Sequence, residues 1–375
     1  MVVGGILLPE IRRDCHLPMP YRGVFVTLAG TASDAASTLG MLTIGPVMHA
    51  FAHYLHHEPK ALRTGNAPVK TAFLLRDGHL PARAFTVWHH AQGLPMPPTP
   101  RLAISRFVAY GACPRSQADV DAYLAGFIGG RRFNDFARQL LLPADIAVKI
   151  VAQAMAAHDP EAEFTRLIHR PATLSSILPA STALRSRLIR YLQRGDTRVF
   201  VALGYEGTAQ RLLAPVLRDE LDVWLIARYL IASPAPGWRS QRAGLIDASW
   251  GDERAAMVLV RYIALLEDLC TAGGASVVDY SEDGEPILGT KHAPAAQVAA
   301  IALVQRAALD FVRTSCQYFS IIGEHLDNRA LAPHSLLTRM AHAPTAQELD
   351  YLAGFQLDMG LGSDIGLRLF DLDAA

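Results

Sequence analysis

Two short apolar runs in this chain each break into residues suited to holding phosphate. Thr71-Ala72-Phe73-Leu74-Leu75 leads into Arg76-Asp77-Gly78, and Val199-Phe200-Val201-Ala202-Leu203 leads into Gly204-Tyr205-Glu206-Gly207-Thr208. An arginine at a strand end can clamp a phosphate through two parallel N–H groups. Asp77 would bind a metal ion or a sugar hydroxyl. The glycines let the backbone turn tightly and bring N–H groups close to an anion. Thr208 would stand near a helix N-terminus, where hydroxyl and N–H groups favour negative charge. The plainer alternatives are an Asp-Gly turn with Arg76 on a surface carboxylate, and a tight turn with Thr208 as helix cap. Ser105-Arg106 repeats the charged pattern after Arg101 to Ile104, with a helix cap and surface arginine as its plain reading.

Other constellations are weaker. His49, His53, His56 and His57 lie within one helical stretch, and His49 and His53 are i,i+4 neighbours. No acidic partner follows at HExxH spacing, so a histidine-rich amphipathic helix is the better reading. Trp88-His89-His90 is equally ambiguous, and the acidic turn 282–286 reads better as a hairpin tip than as a cation site. The chain has no GxSxG elbow, no GxGxxG fingerprint, no GxxxxGK[ST] loop and no early DxDxT pair. Without a nucleophile motif, catalysis would rest on positioning a phosphorylated substrate among Arg, Asp and backbone N–H groups.

Elements must hold these loops in place. Helical spacing runs over 32–57. A strand at 71–75 precedes a helix to about His90, and a strand at 101–104 follows the proline-rich stretch 94–100. Residues 114–195 carry no clear strand and read as a helical insertion or cap. Strand 198–203, helix 208–218 and a β-like run at 221–230 return the chain to a sheet. A loop spans 233–251, a helix 252–270, a short edge strand 277–280 and a long helix 293–325. Gly23 to Leu28 reads as β-like, and the tail holds one short helix. Alternating strands and helices predict an α/β fold with a mainly parallel sheet, flanking helices and a helical insertion. The segments are 1–44 (irregular), 45–113 and 196–290 (two parts of the core), 114–195 (insertion) and 291–375 (helices and tail).

Bulk properties narrow the classes. Hydrophobic residues make up 51% and charged residues 19% of the 375, enough for a large core. Lys+Arg and Asp+Glu both number 35, which argues against nucleic-acid binding driven by phosphate charge. Four scattered cysteines without CxxC fit reduced thiols in a cytoplasmic protein. The start is a poor signal peptide, and the reading expects no membrane span.

Several segments, in order, resemble a domain of bacterial polysaccharide-biosynthesis loci that often follows a phosphatase domain of the haloacid dehalogenase (HAD) class. They are 45–51, 73–78, 104–106, 203–210, 265–269, 279–284 and 343–348. Their loop order is in turn similar to a type I phosphoribosyltransferase, with a Rossmann-like sheet. The resemblance implies transfer of a phosphoribosyl unit from phosphoribosyl diphosphate (PRPP) to a sugar or small-molecule acceptor, with Mg²⁺ and a separate HAD-type phosphatase as partner. It assigns Arg76 and Arg106 to the diphosphate, with Gly78 and Ser105 beside them. Gly204, Tyr205, Gly207 and Thr208 take the 5′-phosphate, and Asp77 or Glu206 the ribose or metal. The family's acidic pair before the phosphate loop is replaced by Val201 and Ala202. That departure leaves two alternatives: an inactive binding or regulatory relative, or a phosphatase-type hydrolase.

Overall fold

The computed structural model describes residues 2–3, 6–7, 24, 28, 34–61, 71–127, 133–193, 199–203, 207–232, 242–247, 259, 263–290, 293–322, 331–342, 344–358 and 366–368. The chain is mixed α/β. Among the described residues three antiparallel pairs lie outside the centre: β1 (Val2–Val3) with β2 (Ile6–Leu7), a hairpin at 277–288, and a pair near the C-terminus.

The centre is a five-stranded sheet of β3 (Thr71–Leu75), β4 (Arg101–Ala103), β5 (Val199–Ala202), β6 (Ile226–Ala232) and β7 (Arg242–Asp247). Its order is β4-β3-β5-β6-β7, and every pairing is parallel. Strands covered on both faces need apolar side chains on both, which is why β3 is an uninterrupted apolar run. Alternation then sorts those side chains. Phe73 and Val201 pack to one face and Ala72, Leu74, Ala227 and Tyr229 to the other.

The first face is covered by α1 (Ala35–Leu39), a π-turn at 40–44, α2 (Gly45–Ala61) and α3 (His79–Ala91). The second carries α4 (Arg106–Ala112). Five helices fill the expected insertion: α5 (Gln117–Phe127), α6 (Phe133–Gln139), α7 (Ala144–Met155), α8 (Pro160–Ile168) and α9 (Pro171–Gln193). Four of them supply a core of the aromatic Tyr123, Phe133, Phe136 and Phe164 and the aliphatic Ile150. The long α9 then packs on the second face, beside α10 (Thr208–Leu221). Helices α11 (Ile263–Cys270) and α12 (Ala295–Ile322) complete the first face, with α13 (Leu331–His342) and α14 (Ala346–Leu352).

Strand β4 is the sheet's edge, and it is closed by side chains. The Ala103 N–H donates to Tyr191 Oη, and Tyr280 Oη donates to the Ala103 carbonyl, both at 2.7 Å. Tyr280 belongs to the hairpin β8 (Val277–Tyr280) and β9 (Pro286–Leu288). Arg187 holds the same hairpin through both oxygens of Asp279. These bonds occupy backbone groups that an edge would otherwise offer to another strand.

Several expectations are corrected. The loop expected at 233–251 contains β7, a strand the pattern hid because it opens on Arg242 and carries Gly244. The β-like run at 221–230 is displaced to 226–232, since Asp222 ends α10 in a left-handed turn and 222–225 are extended loop. Val24 and Leu28, the two described residues of the β-like run 23–28, are helical. The expectation of no membrane span is not among these corrections: Ala35–Glu58 and Ala295–Phe319 are long and apolar enough to cross a membrane, as core helices also can be. The first is 89% buried within the protein and the second 50%.

Candidate functional site

Chain order reverses at the centre of this sheet. From β3 the chain moves outward to β4, then returns to the other side of β3 as β5. Helix α3, after β3, covers one face, and α10, after β5, covers the opposite face. The two connections therefore diverge at the carboxyl ends of β3 and β5. Such a point is where open parallel sheets bind ligands.

Asp77 stands at that point. The turn Arg76-Asp77-Gly78 leaves β3 after a cis Leu75–Arg76 peptide. The Gly78 N–H donates to the Leu74 carbonyl at 2.8 Å, and a side chain at 78 would overlap that carbonyl. The turn directs Asp77 sideways, where its Oδ2 accepts the Leu203 N–H at 3.1 Å. The residue is half-exposed, while its carboxyl is packed among protein atoms. Burial raises the Asp77 pKa above the usual carboxylate range. The Leu203 N–H, Arg106, its own N–H and Arg76 work against that rise without cancelling it. A carboxyl pushed up by desolvation, with the charges of two arginines acting on it and at the switch point of a parallel sheet, is a functional-site signature.

The flanking residues take separate roles. Arg106 pairs with Glu267 of α11 at 3.2 Å. Ser105 is a helix cap: its Oγ accepts the Val108 N–H at 3.0 Å and donates to the Val277 carbonyl at 2.6 Å. The plain reading of Ser105 therefore holds. Arg76 is half-buried at the start of the turn.

Beyond β5, Gly204, Tyr205 and Glu206 lie outside the described residues. Gly207, rather than Thr208, is the N-cap of α10, with φ 65° and ψ 32°. This left-handed backbone suits glycine, and a Cβ there would overlap the Tyr229 hydroxyl. Thr208 is the first helical residue and is buried. Tyr229 stands on β6 opposite Ala202, fully buried. Among the described residues its hydroxyl has no hydrogen-bond partner. Burial holds its pKa well above the ordinary tyrosine value, and the nearby Asp77 charge adds to that rise.

The expected residues thus divide. Arg76, Asp77, Gly78, Ser105, Arg106, Gly207 and Thr208 follow the carboxyl ends of three adjacent parallel strands. Val201 faces the core and is fully buried, so its side chain offers nothing to a ligand. Tyr229 and Glu267 complete the surroundings and were not singled out as site residues. Glu267 lay within a segment of the resemblance; Tyr229 looked like any aromatic in a buried strand.

The histidines gather elsewhere, between α2 and α3. His56 Nδ1 lies 3.1 Å from His89 Nε2, and His89 Nδ1 lies 3.1 Å from the Pro95 carbonyl. A carbonyl only accepts, so neutral His89 carries its proton on Nδ1 and accepts from His56 at Nε2. His53 and His57 stack 4.4 Å apart beside them. Among the described residues, no three His, Cys, Asp or Glu are grouped so as to hold a metal ion.

No protein-family model matches the chain, and no curated protein is similar to it.

Proposed function

We propose that this protein binds a phosphorylated sugar at the carboxyl ends of β3 and β5 and transfers a phosphoribosyl unit from PRPP to a small acceptor. The bond from the Leu203 N–H to Asp77 Oδ2 carries the reading, because it brings the ends of β3 and β5 together. The strand order β4-β3-β5-β6-β7 supports it further. Counted in chain order this is 2-1-3-4-5, a doubly wound arrangement of Rossmann-like type whose ligands sit at the switch point.

In this reading the two ends of PRPP lie across that point. The 5′-phosphate takes the N-terminus of α10 behind Gly207, where a 14-residue helix directs its dipole and has no acidic residue in its first turn. The diphosphate takes the 76–78 turn and Arg76. Attack of an acceptor at the anomeric carbon forms one bond as the bond to diphosphate breaks, so negative charge grows on the leaving oxygen. Arg76 and nearby N–H groups meet that charge without reorganising. Asp77 faces the sugar, and Arg106 is kept in place by Glu267. Mg²⁺, when bound, neutralises diphosphate charge. With a single carboxyl in the 76–78 turn, it would be held mainly by the substrate's own oxygens and water, as is usual for this ion.

A second reading is a relative that binds the ligand without turnover. Val201 and Ala202 favour it, since neither side chain at the end of β5 supplies a carboxylate for the ribose.

Calorimetry with PRPP and Mg²⁺ tests both. The proposal expects binding that weakens at least tenfold in Arg76→Ala, and its absence at millimolar ligand would end the proposal. Release of diphosphate in the presence of candidate acceptors separates a transferase from a silent binder.

A further inference from the structure

Tyr229 poses a problem that the ligand-free fold does not solve. A buried phenol normally finds a partner, and leaving it unpaired costs about 1–3 kcal/mol. Phenylalanine would fill the same place in β6 without that cost. Yet Tyr229 is fully buried, and among the described residues its hydroxyl meets neither donor nor acceptor.

The position of the hydroxyl suggests what it is for. It lies against Gly207, so close that a methyl group there would collide with it. Gly207 caps α10, and as glycine it brings no side chain to the helix N-terminus. The fold thus sets an unpaired phenol at the positive end of a 14-residue helix. One cationic group lies near the ring: the Arg242 guanidinium stands 5.8 Å from its centre. Asp77 contributes the opposing charge. Helix dipole, unpaired O–H and nearby guanidinium all favour an incoming anion.

We infer that the Tyr229 hydroxyl is a ligand group, donating its hydrogen to an oxygen of the phosphate bound at the N-terminus of α10. This rests on the phosphate site of the proposed function and adds to it a donor from the neighbouring strand. The phenol stays protonated across the neutral range, since burial raises its pKa. It is therefore a donor whenever the anion arrives. It would also make the site selective, because a phosphate oxygen accepts from it and an apolar group of the same size leaves it unpaired.

The test compares the wild type with Tyr229→Phe, using inorganic phosphate and PRPP with Mg²⁺ as separate probes in calorimetry and thermal unfolding. Without ligand, the variant should unfold at the same temperature or higher, because it loses only an unpaired hydroxyl. With ligand, affinity should fall roughly tenfold, the order expected for a hydrogen bond to a charged group. Equal affinities in the two proteins would overturn the assignment while leaving the PRPP reading intact. Binding of phosphate but not PRPP, weakened in the variant, would keep the assignment and end the PRPP reading. Failure of the wild type to bind either probe would end both. The ¹³Cζ resonance of Tyr229 in the wild type gives a readout that needs no substitution. It should move on adding phosphate, and a stationary resonance at saturation would also overturn the assignment.

Discussion

Asp77 reaches from the end of β3 to the backbone of Leu203 at the end of β5, 126 residues later, at 3.1 Å. The bond ties the two loops that follow these strands, and it does so with a carboxyl that burial disfavours in its charged form. A group kept at a cost to the fold is the kind that function retains.

That cost can be measured. Because the Asp77 pKa is raised on folding, its ionised form is less favourable in the folded state, and stability is lost as pH rises through its titration. Asp77→Asn keeps an acceptor for the Leu203 N–H and removes the charge. It should match or exceed the wild type in urea unfolding at pH 7 while losing PRPP binding. Asp77→Ala leaves that N–H without its acceptor and should cost about 1–3 kcal/mol.

Gly207 and Tyr229 should behave as a coupled pair. Gly207→Ala forces a left-handed non-glycine residue and an overlap with the phenol, for a cost of about 1–3 kcal/mol. Removing the hydroxyl in Tyr229→Phe relieves part of the overlap. The double variant should be more stable than the sum of the singles by at least about 0.5 kcal/mol in a denaturation cycle.

Glu348 anchors the C-terminal helices. It is 2% exposed, accepts from both terminal nitrogens of Arg339 at 2.6 Å and completes the capping box of α14 with Thr345. Burial alone would raise its pKa, but the Arg339 pair and the Thr345 bonds outweigh it and the net shift is downward. Its contribution is therefore present above the unfolded carboxylate pKa and is lost as pH falls through the lower folded value. Glu348→Ala strands the half-buried Arg339 and should cost about 3 kcal/mol at pH 7. At a pH low enough to protonate Glu348 the difference should shrink.

His49 predicts acid sensitivity of a different origin. It is buried in α2 and stacked 5.1 Å from Phe319. Burial, with a smaller effect of His53, lowers its pKa to about 3. The unfolded chain takes up this proton near pH 6.5, so between 6.5 and 3 the unfolded state holds more protons. Stability should fall by up to about 1.4 kcal/mol per pH unit as pH drops through that window. His49→Phe should flatten that slope in unfolding curves measured from pH 7 to 4.

Much of the framework was readable in the chain. The runs at 71–75 and 199–203 announced strands because strands buried on both faces must be apolar throughout. Within 114–195, Pro143, Pro160 and Pro171 mark helix starts, where the missing N–H costs nothing, whereas Pro179, read as a separator, lies inside α9. β7 escaped because its alternation begins on Arg242 and passes through Gly244, which read as loop. Ser105 could not be resolved from the chain alone, because cap and ligand residue use the same hydroxyl; the fold shows its cap bonds to Val108 and Val277.

The sequence by itself determined which residues would end strands and carry charge there, since that follows from local spacing and turn chemistry. The tertiary structure alone decided which of those residues would meet. Asp77 finds Leu203, Arg106 finds Glu267 and Gly207 rests on Tyr229 because the sheet order reverses between β3 and β5 and stacks segments far apart in the chain. Period and composition record which face a side chain takes, and they carry no record of the neighbour it will face across a sheet.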